Sequence, residues 1–466
     1  MTVLERLGDA IWNPWLLSLF LLLGLYYSLR TGFFQIFGLP LWMKTTAGTL
    51  LRRRKRGAGG GLTQVQALAT ALASTIGTGS IAGVSAAIFY GGPGAVFWMW
   101  VSALLGMMTG CAEKILAVRY RRRTEAGTWE GGPMEYMIQG LGARGLAAWF
   151  ALCCAAAAVI GGGMVQSNSI STAMEAAFGF DRLAVGVLAA LLTGTVILGG
   201  IRRIGQVSEL LVPQMALLFL AGGAVVLVCH ADAIPAALSR IFSAALTPKA
   251  ALGGGAGYGI GRAMRYGVAR GVFTNEAGLG SSAMVHAAAD VKEPAEQGMW
   301  GIFEVFVATL VVCTMTALVI LTSGVYSEEA ALAAIEHGMA DSAMAGAPLC
   351  AAAFSTVLGR WGGPFVALCL LMFAFTSIMG WSYYGERGLA TLTGRRGAVP
   401  VFRVLYLGGV LAGSVGELAV VWQLVDVCNG LMALPNLIAL LLLSPEALRL
   451  WRTWVKGQRQ GKRAAG

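Results

Sequence analysis

The chain has 466 residues, of which 57% are hydrophobic and only 12% charged. A soluble domain carries about 25% charged residues, so a water-surrounded globule is excluded and a set of membrane-spanning helices is implied. The net charge of +11 does not describe a nucleic-acid surface, because the basic residues sit in short clusters between apolar segments. These are Arg52–Arg56, Arg119–Arg123, Arg202-Arg203, Arg395-Arg396 and the tail from Arg452 to Arg463, the pattern of cytoplasmic loops flanking spans.

At about 20 residues per span, the apolar segments number eleven. The first runs from Asn13 to Leu29. Glu5 and Asp9 precede it and no small-residue cleavage site follows a short apolar run, so it reads as a retained span. The others lie near 63–90, 94–118, 146–176, 184–200, 207–229, 262–288, 297–323, 364–390, 401–417 and 420–446. The stretch from Ser323 to Trp361 reads as an ordered outer loop. Gly91-Gly92-Pro93, Gly131-Gly132-Pro133 and Gly362-Gly363-Pro364 each precede a predicted helix, since proline suits the first turn and paired glycines allow a sharp approach. The eight cysteines have no metal-ligand spacing. Seven fall in predicted spans, and Cys350 lies near the outer loop.

With the Arg52 cluster in the cytoplasm, alternation places the other basic loops there too. The loop at Asp181 and Arg182, the mixed loop at 230–261, and the acidic loop with Glu328, Glu329, Glu336 and Asp341 then face outward. The N-terminus is outside and the C-terminus inside. Setting the first span aside leaves ten, which divide as five plus five in opposite orientations, the arrangement of inverted repeats. The organisation expected is an extra helix in 1–51, a first repeat with its external loop in 62–261, a second repeat in 262–446 and a basic cytoplasmic tail in 447–466.

Two spans carry polar, glycine-rich interruptions at matching positions of the two halves. In the first, Ala73-Ser74-Thr75-Ile76-Gly77-Thr78-Gly79-Ser80 is a poor helix interior, each glycine costing roughly 1 kcal/mol against alanine. Freed N–H groups of Gly77, Thr78 and Gly79 suit a carboxylate, and freed carbonyls at Ala73 and Ile76 suit a small hard cation. Close packing of small residues is the alternative reading. The second interruption is Gly271-Val272-Phe273-Thr274-Asn275-Glu276-Ala277-Gly278-Leu279-Gly280-Ser281. Gln166, in the fourth span, can accept from an ammonium group or simply bond a neighbouring helix. In the ninth span, Thr376 and Ser377 offer hydroxyls beside the carbonyl of Phe373, and Ser377 shares a helical face with Trp381. Ionisable residues inside the membrane are functional candidates. Glu113, Glu276, Arg270 and Glu304 qualify. Glu113 falls near a cytoplasmic helix end, where snorkelling accounts for it, while Arg270 and Glu276 are close enough in sequence to pair or gate.

The run from Gly77 to Gly83 and on through Gly91-Gly92-Pro93-Gly94-Ala95-Val96-Phe97-Trp98-Met99-Trp100 resembles the alanine or glycine:cation symporter family. So do Gly131-Gly132-Pro133-Met134, Val165-Gln166-Ser167-Asn168-Ser169, the run from Arg270 to Gly278, Gly380-Trp381-Ser382-Tyr383-Tyr384-Gly385-Glu386, and Asn429-Gly430-Leu431-Met432-Ala433-Leu434-Pro435-Asn436. The resemblance covers almost the whole chain. It implies an all-α membrane protein of about eleven transmembrane helices, with a five-plus-five inverted-repeat core of the LeuT type and one added helix. It also implies Na⁺-coupled uptake of alanine or glycine across the bacterial inner membrane. On matching positions, Gly77, Thr78 and Gly79 surround the carboxylate. Gln166, Phe273 and Ser377 surround the amino group and side chain, and Trp381 closes the pocket. The cation falls among Ala73, Ile76, Phe373, Thr376 and Ser377. This chain departs from the family's usual pattern at Ser80, where Asn is usual, and at Ser377, where Thr is common; serine keeps an oxygen but changes its reach.

The expected partners are a small neutral amino acid and membrane lipid, with no nucleic acid and no obligate protein. Proton coupling is the rival, and it needs a titratable carboxylate near the midplane, which the expected cation site lacks. A channel predicts a continuous polar pore instead of two breaks. An enzyme is disfavoured because His230, His286 and His337 are scattered and no nucleophile–base arrangement stands out.

Overall fold

The computed structural model describes residues 8, 10–50, 61–125, 127–246, 259–337, 345–394, 397–416 and 418–464. The clusters at Arg52–Arg56 and Arg395-Arg396, Glu5, Asp9, Asp341 and part of the 230–261 loop lie outside the described residues. The described residues are almost entirely helical, with one two-stranded ribbon among them that pairs Arg122–Arg123 with Trp129–Glu130. Among the described residues, seven helices are long and apolar enough to cross a membrane. Pro14–Arg30 and Arg182–Ile197 are shorter apolar helices. The second and seventh expected spans are each split into shorter helices.

Local sequence explains most helix boundaries. Pro14 opens the first helix, and its end folds back through short turns of helix over Phe34–Leu50. Trp12 Nε1 donates to the carbonyl of Asp426 (2.8 Å) and Tyr27 to that of Leu440 (2.6 Å), tying this helix to Leu418–Leu442. Thr63 and Gln66 form a reciprocal capping box at the start of Gln64–Thr75, which satisfies two otherwise orphaned N–H groups. Asp181 caps Arg182–Ile197 through the N–H of Ala184 (2.8 Å). Two Gly-Gly-Pro entries act as expected, with Gly92 (φ 72°) and Gly132 (φ 120°) in conformations open mainly to glycine. The third differs: Gly362 and Gly363 already belong to the first turn of Gly362–Thr393, and the positive φ falls earlier, at Gly359.

The segment from Ser323 to Trp361 is not a loop. It holds two helices, Glu328–Glu336 and Ala347–Leu358. Ser327 caps the first by accepting from Ala330, and Glu328 and Glu329 suit its positive N-terminal end. Its apolar face, Ala331, Leu332 and Ala334, is buried, as are Leu349, Cys350, Ala353 and Phe354 in the second. Cys350 therefore packs inside the protein rather than lying at a loop. All eight cysteines are free thiols, including the adjacent Cys153 and Cys154. The basic tail is also helical, Ser444–Ala464. Ala447, Leu448, Trp451, Trp454 and Val455 form its buried stripe, one face of a 3.6-residue period.

Outward-facing leucine and valine side chains such as Leu152, Leu191, Leu217, Val228 and Val404 remain exposed, an apolar exterior suited to lipid. The interior contains two features that position the site. Helix Arg144–Phe178 widens into a π-turn over Ala158–Val165, which contains Gly161-Gly162-Gly163. Gly162 lets Trp381 lie directly against this turn, since a Cβ there would fall 2.2 Å from the Cβ of Trp381. The start of the second expected span is also bonded to the end of the seventh. Leu62 N donates to Ala288 O (3.0 Å), and Asp290 N donates to Leu62 O (2.7 Å).

Candidate functional site

Helix Gln64–Thr75 ends at Ile76. The chain passes through an extended Gly77, makes a single 3₁₀ turn over Thr78–Ser80 and restarts as Ala82–Gly91. Gly77 is needed for space, because an added Cβ would sit 2.5 Å from Ser377 Oγ and 3.1 Å from Gln166 Oε1. At Gly79 the same atom would lie 3.0 Å from the Phe273 ring. The N–H of Thr78 donates to Gln166 Oε1 (3.1 Å). Ser377 donates to the carbonyl of Ser74 (2.6 Å), bonding helix Gly362–Thr393 to the edge of the break. The hydroxyls of Thr78 and Ser80 are fully buried without a hydrogen-bond partner among the described residues.

The second break follows Ile260–Asn275. Glu276 caps that helix in the left-handed region (φ 55°), where glycine or asparagine is usual. Gly278 (φ 93°) and Gly280 (φ 79°) continue the irregular path to the short helix Ala283–Ala287. Asn275 holds the turn by accepting from Ala277 N (3.0 Å) and donating to Thr309 (3.2 Å). Freed backbone groups inside a membrane need partners, and here Glu113 supplies them. Its Oε1 accepts from Gly278 N (2.9 Å), Gly280 N (3.0 Å) and Asn436 Nδ2 (2.7 Å). Asn436 also donates to the carbonyl of Gly278 (2.9 Å).

Glu113 is thus not a snorkelling side chain: it is fully buried. Beside it, Lys114 Nζ lies 3.5 Å from Glu113, 3.2 Å from Glu304 and 2.8 Å from Ser282 Oγ. Glu304 Oε2 is 3.1 Å from His286 Nε2, and Gln297 Nε2 is 2.6 Å from His286 Nδ1. Glu276 accepts from Ser281. Arg270 does not pair with Glu276; its partner is Asp426, at 3.2 Å. The fully buried cluster of Glu113, Lys114, Glu276, His286 and Glu304 is the feature that sequence reading missed. Its only signal was the intramembrane charges themselves.

Between the two breaks lies a cavity lined by Ser74, Thr75, Gly77, Gly79, Gly161, Gln166, Phe273, Glu276, Trp381 and Asn429, with about 10 Å³ accessible to the centre of a water molecule. This is room for about one water. Of the expected substrate residues, Gly77, Gly79, Gln166, Phe273 and Trp381 line it directly. Thr78 and Ser377 adjoin it through Gln166 and Gly77. The expected cation residues are less concentrated. Ala73, Ile76, Phe373 and Thr376 are fully buried but not in the cavity wall. Thr376 turns to Phe373 O (2.9 Å) and to Met215 Sδ (3.4 Å). Ser74, Thr75, Gly161, Glu276 and Asn429 were not expected as lining residues. Asn429 opens one of the runs that carry the family resemblance, which was the available signal. Among the described residues, no group of three or more His, Cys, Asp or Glu side chains is arranged to hold a metal ion.

Residues 1–465 match the sodium:alanine symporter family. The sodium/alanine symporter AgcS of Methanococcus maripaludis is 40% identical over 448 residues, 95% of each chain. The amino-acid carrier protein AlsT of Bacillus subtilis is 34% identical, covering 97% of this chain and 92% of its own. In fold, the chain is similar to a manganese transporter from Eremococcus coleocola, with a TM-score of 0.50, 14% sequence identity, and coverage of 85% of this chain and 80% of that one. Together with the apolar helices and their central breaks, these matches show that the chain belongs to the sodium:alanine symporter family: it is a multi-pass membrane transporter of amino acids with a cation, and not an enzyme.

Proposed function

We propose that the protein imports alanine and glycine with Na⁺ by alternating access, through the cavity between the two broken segments. The observation that carries this reading is the shared cavity wall. Gly77 and Gly79 from the first break, Phe273 from the last turn before the second, Glu276 at that second break, and Gln166 and Trp381 from two further helices meet there. Backbone N–H groups at Thr78 and Gly79 receive the carboxylate, with the amide oxygen of Gln166 leaving Thr78 as the carboxylate arrives. Gln166, Phe273 and Ser377 then face the ammonium group and side chain. The small cavity and the Trp381 wall favour a hydrogen or methyl side chain over a branched one.

The cation is assigned to the carbonyls of Ala73, Ile76 and Phe373 with the hydroxyls of Thr376 and Ser377. Each hydroxyl donates its proton to a carbonyl, Phe373 O and Ser74 O respectively, which leaves its oxygen lone pairs free for a cation. Ser377 belongs to both sites, so cation binding orders the break against which the carboxylate sits. One Na⁺ moving one charge gains about 2.3 kcal/mol per 100 mV, about fiftyfold in accumulation. The architecture in this reading is eleven spans: an extra helix in 1–51, repeats in 62–261 and 262–446, and a tail in 447–466. The N-terminus is outside and the C-terminus in the cytoplasm of a bacterial inner membrane.

Proton coupling is the second reading, and Glu276 favours considering it. The cation residues carry no carboxylate, but the cavity wall does. Uptake of labelled alanine into proteoliposomes decides the matter. The proposal expects uptake driven by a Na⁺ gradient, and uptake driven by a pH gradient without Na⁺ would refute it. In the same assay Trp381→Ala should slow alanine uptake roughly tenfold and admit leucine, because burying a large aromatic wall side chain contributes about 1.5–3 kcal/mol. Leucine uptake as fast as alanine uptake by the unaltered protein would refute the pocket.

A further inference from the structure

Three carboxylates, Glu113, Glu276 and Glu304, share the interior beside the second break with one lysine, Lys114, and one histidine, His286. All five are at most 1% exposed. As oriented, Gln297 donates to His286 Nδ1, which makes His286 the neutral Nε2–H tautomer. Three negative charges then face one positive charge. Even a doubly protonated His286 would leave one negative charge unbalanced. An unpaired ion in such a place costs several kcal/mol, so the cluster holds at least one proton on a carboxyl group.

Glu113 Oε2 and Glu304 Oε1 accept no hydrogen bond among the described residues, so the count of donors and the access to the cavity together single out the proton's place. Glu113 receives three N–H donors on one oxygen, and Glu304 lies against Lys114 and His286. Both arrangements stabilise a carboxylate. Among the described residues Glu276 accepts from the Ser281 hydroxyl alone, and of the three carboxylates it is the one that lines the cavity. The groups facing it are Glu113 and Lys114 on Gly94–Arg119, Glu304 on Pro294–Thr322, Tyr384 on Gly362–Thr393 and Cys154 on Arg144–Phe178. A further unsatisfied group shares the cavity wall: Asn429, 2% exposed, whose Oδ1 has no partner among the described residues. Glu276 is also held in left-handed backbone, a conformation that costs a non-glycine residue energy and is concentrated at functional sites.

We infer that Glu276 is a proton-binding residue of the cavity wall, and that a cation entering the cavity displaces its proton. This rests on the cavity being the transport site. The O–H bond of the carboxyl breaks and the proton leaves to cavity water. The electron pair stays on the carboxylate, which then faces the incoming charge. The ligand chemistry is a small cation, either Na⁺ or the ammonium group of the amino acid. Binding is therefore linked to proton release and strengthens as pH rises, by at most about tenfold per pH unit for one proton.

The test uses the purified full-length protein in weakly buffered detergent solution. NaCl, alanine with choline chloride, and NaCl with alanine are added separately, while released protons and bound ligand are both measured between about pH 5.5 and 8.5. The expected result is release of up to one proton per protein on cation binding. Release with NaCl alone identifies Na⁺ as the displacing ion, and release with alanine alone identifies the ammonium group. Glu276→Gln, which mimics the protonated side chain, should release none and bind with an affinity independent of pH. If the wild-type protein binds Na⁺ and alanine without releasing a proton, the inference falls and the transport reading stands. Wild-type release retained in Glu276→Gln would also overturn it. A wild-type protein that binds neither ligand overturns the transport reading, and this inference with it. Should Glu276→Gln fail to fold, Ser281→Ala, which removes the hydroxyl that donates to Glu276, should move the pH midpoint of proton release upward; an unmoved midpoint overturns the inference.

Discussion

Lys114→Met will destabilise the protein by about 3–5 kcal/mol, the range for removing one partner of a buried ion pair. It will show as a pronounced fall in Tm of the detergent-purified protein. Methionine preserves most of the side-chain volume, so the loss is electrostatic rather than a cavity. Among the described residues Lys114 is the only cation within salt-bridge distance of both Glu113 and Glu304, and it also donates to Ser282 at the end of the second break. Without it, Glu113 still holds Gly278 and Gly280, but two carboxylates face each other in a medium that screens them poorly. The double variant Lys114→Met with Glu304→Gln removes one charge of each sign. It should regain more than about 1 kcal/mol over the single variant. A Tm for Lys114→Met equal to that of the wild type would show that the cluster is not charged as argued.

The two interruptions were legible because glycine and hydroxyl residues are conspicuous in apolar segments, and the breaks fall within the runs 73–83 and 271–281. The charge cluster was not, because its members come from four separate stretches and meet only in three dimensions. Hydropathy finds where a helix ends but not what covers its end. Glu113 lies six residues before Arg119, about 9 Å along the axis, and was read as reaching the surface; Asn436 and the second break lie over it instead. The pairing of Arg270 with Glu276 failed on geometry that sequence does contain. Six residues at 100° each turn a helix by 600°, which points the two side chains to different faces. Asp426, on a distant helix, takes the arginine. Adjacent helical residues diverge by 100°, so Ser377 meets the first break while Thr376 meets Met215. Glu328–Glu336 and Ala347–Leu358 escaped notice because each is too short to span, although the cap at Ser327 was readable.

Gly77→Ala will fold but bind alanine about ten- to hundredfold more weakly. Its backbone, with φ −108°, is open to any L-residue, so the change introduces no dihedral strain. What it introduces is an atom 2.5 Å from Ser377 Oγ, 3.2 Å from Ser377 Cβ and 3.1 Å from Gln166 Oε1. Neither neighbour yields freely. Ser377 would give up its bond to Ser74 O (2.6 Å), and Gln166 its bond to Thr78 N (3.1 Å). Overpacking of this kind costs about 1–3 kcal/mol, which is about five- to 150-fold in an affinity constant. Gly83→Ala, six residues along the same segment, is the comparison, because a Cβ there meets nothing within 4 Å. It should bind alanine as the wild type does. Ser377→Gly in the Gly77→Ala background removes both serine contacts and should restore part of the thermal stability without restoring the cation dependence, since the shared hydroxyl is gone. Equal alanine binding by Gly77→Ala and Gly83→Ala would mean that the first break does not form the wall of the site. The carboxylate assignment at Thr78 and Gly79 would then fail with it, because Gly79 shares that cavity wall with Gly77 and Thr78 adjoins it through Gln166.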